Sequence, residues 1–233
     1  MTPVWVADLA ARFWAAAGPP PPVPRDLLGP ARAFGVHVAT WPGLTVGRVA
    51  AFLARQGIAT ALPDRRLHAC LFTVRGHGFV FLDAADPAAE RRFSLAHELA
   101  HFLRDADAPR RAVTAAVGAA AATVLDGRPA TVAERLAALL RGVPLTTHVH
   151  LMHRDDAGRP LTPADREAED AADHLAGELL APAGLFEGES AEVIRERLGA
   201  GFGFPDGAAA GYARTLRPPA WRDPLLARLG IIG

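Results

Sequence analysis

The chain has 233 residues, half of them hydrophobic and about a fifth charged, with 25 basic against 25 acidic side chains. That composition fits a globular protein with one substantial core, and it excludes a disordered chain and a global basic field for nucleic acid. The single cysteine, Cys70, excludes an intrachain disulfide framework and a Cys-rich zinc site.

Residues 3–17 carry Val6, Leu9, Ala10, Phe13 and Trp14 at helical spacing. Gly18 and the prolines at 19–22 end that helix and predict a stiff, extended spacer. A helix is expected over 24–34, a strand over 36–41, and a helix over 45–56 with Thr45 as cap, ended by Gly57. Arg48, Arg55, Arg65 and Arg66 lie nearby, but no helix-turn-helix with a polar recognition helix is present, so direct nucleic-acid binding is not expected. The first residues lack the pattern of a secretory signal, and no run of 18 apolar residues occurs. No membrane span and a cytoplasmic location are therefore expected.

Apolar runs at 67–74 and 78–82 flank Arg75-Gly76-His77-Gly78 and predict a β-hairpin, with His77 solvated in the turn and Cys70 a core thiol. The second strand leads into a helix with Asp86 as its expected N-cap, Pro87 at its first position, and Phe93, Ala96, Ala100 and Leu103 as its apolar stripe. This helix carries His97-Glu98-Leu99-Ala100-His101. Two histidines one turn apart face the same way and can hold one Zn²⁺, with the intervening Glu98 beside the ion's open side. A sheet edge next to such a helix can also bind an extended peptide.

Beyond Leu103, residues 105–109 predict a loop and 111–125 a helix of small residues. Thr131 and Glu134 form a capping box opening a helix through Leu140, and a strand is expected over 145–153. Thr162 and Pro163 open a helix running to about Leu180; shorter helices are expected over 189–198, 206–216 and 223–229.

A third metal ligand would have to come from elsewhere. The helix from 162 carries Arg166, Glu167, Glu169, Asp170, Asp173, His174 and Glu178 beside an apolar side of Ala168, Ala171, Ala172, Leu175, Ala176, Leu179 and Leu180. Small alanines let two helices approach closely. By composition, Glu169 is one of several candidates.

Arg92-Phe93-Ser94-Leu95-Ala96-His97-Glu98-Leu99-Ala100-His101 resembles the R-F-[ST]-x-A-H-E-[LI]-[GA]-H motif of the ImmA/IrrE-type zinc metallopeptidases. The later stretch from Glu169 to Pro182 is similar to that family's E-x-x-A-N-x-F-A-x-x-L-L-M-P. Asp173 stands where the family has Asn, and Ala181 where it has Met. The resemblance covers about residues 67–215. It implies an α+β, mostly helical, zincin-like fold with a small β-sheet beside the H-E-x-x-H helix, and it assigns Glu169 as the third ligand beside His97 and His101. The implied organisation is an N-terminal helical segment with a Pro-rich linker at 1–42, the peptidase domain at 43–217 with an insertion at 105–161, and a C-terminal tail at 218–233.

The implied activity is zinc-dependent endopeptidase cleavage of a regulatory protein, such as a helix-turn-helix repressor, in a stress response. Glu98 would be the general base. Asp173 has two readings: acceptor for the far nitrogen of His97 or His101, or a surface carboxylate. Candidates for the carbonyl-stabilising donor are Tyr212, His148, His150, His153 and His174; Tyr212 reads better as a packing residue and His174 as solvent-facing. The competing functions are a non-proteolytic metal-binding regulatory or toxin–antitoxin-type module, and a zinc hydrolase acting on a non-peptide amide.

Overall fold

A computed structural model describes residues 2–55, 63–140 and 162–217 of the chain. The expectations for Gly57, for the strand over 145–153 and for the helix over 223–229 lie outside the described residues. So do His148, His150 and His153.

Val6, Leu9, Ala10 and Phe13 repeat at helical spacing, and α1 (Val4–Ala17) buries all four. Gly18, at φ 95°, ends it by returning its N–H to the Trp14 carbonyl. The next helix, α2 (Leu28–Ala33), is shorter than its expected span, with Asp26 accepting the Leu28 N–H just before it. Strand β1 (Val36–Trp41) and helix α3 (Val46–Arg55) follow as expected, and Thr45 Oγ1 accepts the Arg48 N–H at 3.2 Å.

The hairpin joins β2 (Ala69–Val74) to β3 (His77–Asp83). Its turn is tighter than expected: Arg75 and Gly76, both at positive φ, make the two-residue loop, and His77 and Gly78 are already in strand. The sheet order is β1-β3-β2, with β3 parallel to β1 and antiparallel to β2. One face, with Val36, Leu71, Val80 and Leu82, shares the main core. The other, with Phe72 and Phe81, packs on Leu44, Val49 and Leu53.

From β3 the chain enters α4 (Ala88–His101), which carries the two histidines. Asp86 does not cap it. Its carboxylate accepts from Arg66 and pairs with His68 instead, because the segment leading into β2 presents both bases to it. The expected loop at 105–109 is absent as well. A π-helical turn, Phe102–Asp107, carries the helix on into α5 (Ala108–Val117). Pro109 would collide with the carbonyl four residues earlier in a regular α-helix, and the wider turn directly before it gives the ring room.

Gly118, at φ 104°, splits the expected helix over 111–125 into α5 and α6 (Ala121–Leu125). Helix α7 (Val132–Leu140) starts from the expected Thr131–Glu134 box. Helix α8 (Pro163–Leu180) opens on a reciprocal box of Thr162 and Asp165. A 3₁₀ turn, Ala183–Phe186, then leads to α9 (Ala191–Ala200) and α10 (Asp206–Leu216).

Among the described residues the architecture is α+β, mostly helical, with a small three-stranded sheet beside the helix that carries His97 and His101. α1 and β1, from the segment before residue 43, share the main core with α4 and α8, and β1 pairs with β3. Among the described residues, no helix is long and apolar enough to cross a membrane.

Candidate metal centre

Helices α4 and α8 pack along one another, and Ala96, Ala100, Ala172 and Ala176 are buried in the core they share. Side chains this small bring the two backbones close. Arg92 and Phe93 tie α4 to the segment between α9 and α10: the guanidinium donates to the Gly203 carbonyl at 2.9 Å, and the ring packs on Phe204.

His97, His101 and Glu169 come together, with one potential ligand atom from each lying within 4.8 Å of the others. The Nε2 atoms of the histidines are 3.2 Å apart. Glu169 Oε2 is 3.4 Å from His97 Nε2, and its Oε1 is 3.7 Å from His101 Nε2. A tetrahedral Zn²⁺ with bonds of about 2.0–2.1 Å places its ligand atoms about 3.3–3.4 Å apart, so the donor set fits such an ion.

Both far nitrogens are held by carboxylates. His97 Nδ1 is 2.8 Å from Asp173 Oδ1, and His101 Nδ1 is 2.9 Å from Asp105 Oδ2. A proton kept on each Nδ1 leaves each Nε2 lone pair for a cation. Asp173, largely exposed at its outer edge, thus takes the acceptor position rather than facing only water. Asp105 was not singled out in the sequence. Its signal was there: positions 97, 101 and 105 share one helical face, but that reading requires the helix to continue past Leu103.

Burial opposes a charge on His97, yet Asp173, Glu169 and Glu98 outweigh it and push its pKa up to about 10. Without an ion, His97 therefore carries a proton at neutral pH, and any cation that enters must displace it. Glu98 lies between the two histidines on α4, half-buried, and its charge adds to the field on His97. Cys70 is a partly buried thiol whose pKa is raised by burial and then by Glu98, which suits an inert core residue.

Two of the proposed donors are elsewhere. Tyr212 is buried, with its hydroxyl shared between Glu178 Oε2 at 3.1 Å and the Ala181 carbonyl at 3.2 Å. Its ring lies against Gly177, where a Cβ would come within 2.5 Å of it. It packs helices together, as the sequence suggested. His174 is not solvent-facing: it is buried against the Tyr212 ring, and burial lowers its pKa. α8 is covered by α1 and α10 as well as α4, so its buried face is wider than one stripe.

Residues 53–136 match the family model of the IrrE N-terminal-like domain, Peptidase_M78. The match is to the family whose motifs the sequence resembles, it spans α4, and it supports a metallopeptidase-type function on an α+β zincin-like fold. It ends before α8, so Glu169 rests on the geometry and on the second motif. No curated protein and no solved structure matches the chain.

Proposed function

We propose that this chain, whose residues 53–136 match an IrrE N-terminal-like peptidase domain, is a zinc-dependent endopeptidase that cleaves a regulatory protein such as a helix-turn-helix repressor. The observation that carries this reading is the convergence of His97, His101 and Glu169, with both far imidazole nitrogens already on carboxylates.

In this reading His97, His101 and Glu169 hold the ion. When bound, the ion lowers the pKa of a water toward about 7 and polarises the scissile carbonyl. Glu98, on the same helix but not a ligand, accepts the proton of the attacking water and passes it to the leaving amine. Asp173 and Asp105 keep both imidazoles in the orientation and tautomer that present Nε2. Among the described residues the sheet ends at β2, which packs on α4. An extended peptide pairing along that edge would run beside the ligand helix, which favours a protein substrate over a small amide. The repressor as target rests on the family resemblance.

The test is cleavage of a candidate repressor by zinc-loaded protein, read by mass spectrometry, against Glu98→Gln. The variant is expected to keep its zinc and lose turnover by roughly 10²–10⁴-fold, the usual range for a general acid–base group. Full turnover in the variant contradicts the mechanism. Zinc bound without cleavage of any candidate favours a non-proteolytic metal-binding regulatory module.

A further inference from the structure

The π-helical turn after α4 does more than continue the helix. Arg104, on that turn, uses three donors of its planar fork. Its Nε donates to Asp105 Oδ1 at 2.6 Å and one terminal nitrogen to Asp105 Oδ2 at 2.9 Å. The other terminal nitrogen donates to the Ala168 carbonyl at 2.7 Å. Ala168 directly precedes Glu169 in α8, and Asp105 Oδ2 is also the partner of His101 Nδ1. One guanidinium thus touches the backbone that carries one ligand and the carboxylate that orients another.

We propose that Arg104 is a positioning residue for the metal centre, joining α8 at Ala168 to the Asp105–His101 pair so that Glu169 and His101 reach one ion together. The proposal rests on the metal-site reading above. Its physical content is registry. The Ala168 bond fixes where α8 sits along α4, and so where the Glu169 oxygens arrive. The two bonds to Asp105 fix the carboxylate plane, and so the direction of His101 Nε2. Arg104 and Asp105 are 20% and 13% exposed, so water competes little for these bonds. A lysine would keep the positive charge but cannot present three donors in one plane.

The test compares zinc affinity, by competition with a chromophoric chelator, in wild type, Arg104→Lys, Asp105→Asn and the double variant. Melting of each protein in chelator shows that it is folded. The visible spectrum of the Co²⁺-loaded protein reports coordination geometry independently of catalysis.

Arg104→Lys and Asp105→Asn should each weaken zinc by on the order of 10–100-fold, as partners of ligand groups usually do. Both should alter the Co²⁺ spectrum, and the double variant should lose less than the product of the two, because they act as one unit. Wild-type affinity and spectrum in Arg104→Lys would overturn the proposal while leaving the metal site standing, since charge alone would then suffice. Multiplicative losses in the double variant would also overturn it. Failure of the wild type to bind zinc overturns the site reading and this proposal with it.

Discussion

Two alanine-rich parts of this protein turn out differently. In α4 and α8, Ala96, Ala100, Ala172 and Ala176 stand among Leu95, Leu99, Leu175 and Leu179, and all eight are buried. In α5 to α7, Val113, Ala121, Val124 and Ala138 are the buried hydrophobics among the described side chains, and Val132, Leu136 and Leu140 stand exposed at one-turn spacing on α7. Small residues allow close approach. Large ones beside them, closed in on a second side by the sheet or by α1 and α10, make that approach rigid. Three ligand atoms held within 4.8 Å of one another belong on the rigid pair.

The contrast breaks most visibly at Gly177. Its replacement by Ala drives a Cβ into the Tyr212 ring, and over-packing of this kind costs about 1–3 kcal/mol. Thermal unfolding should show that loss, and unchanged stability would mean that α8 is held less tightly than its packing indicates. Asp173→Asn sharpens the contrast from the site side. The fold should survive, since Asp173 is largely exposed, while zinc affinity falls by roughly tenfold in chelator competition. An unchanged affinity would return Asp173 to a surface role.

A pH series separates the rigid site from the ion. The pKa of His97 in the metal-free fold, about 10, stands above its ordinary 6.5. Protonated His97 therefore adds stability that is fully present below pH 6.5 and lost as pH rises through about 10. Zinc must displace the same proton, so its affinity should rise across that interval, with proton release seen by calorimetry in buffers of different ionisation enthalpy. Pairing that is independent of pH contradicts the assigned protonation. The smallest effect is expected on α7. Leu136→Ala, at 54% exposure, should change stability by no more than about 0.5 kcal/mol and leave zinc binding alone.

Much of the site could be read from the residues because its parts are local. His97 and His101 are one turn apart, and Thr162 with Pro163 starts the second ligand helix where the sequence says it should. Glu169 was legible only through its motif, since nothing local distinguishes it from Glu167 or Asp170. Asp105 and Arg104 were hidden by a reasonable error. Pro109 reads as a helix breaker, and the π turn that accommodates it cannot be seen in propensities. The burial of His174 and the diversion of Asp86 to Arg66 and His68 depend on what other elements bring alongside, which spacing within one helix does not encode.

The central claim is that α8 completes the centre that α4 begins. Zinc content measured after dialysis, in wild type, Glu98→Gln and Glu169→Ala, tests it most directly. One zinc per chain in the first two and little in the third is the predicted result. Full zinc without Glu169 would contradict it and move the third ligand elsewhere.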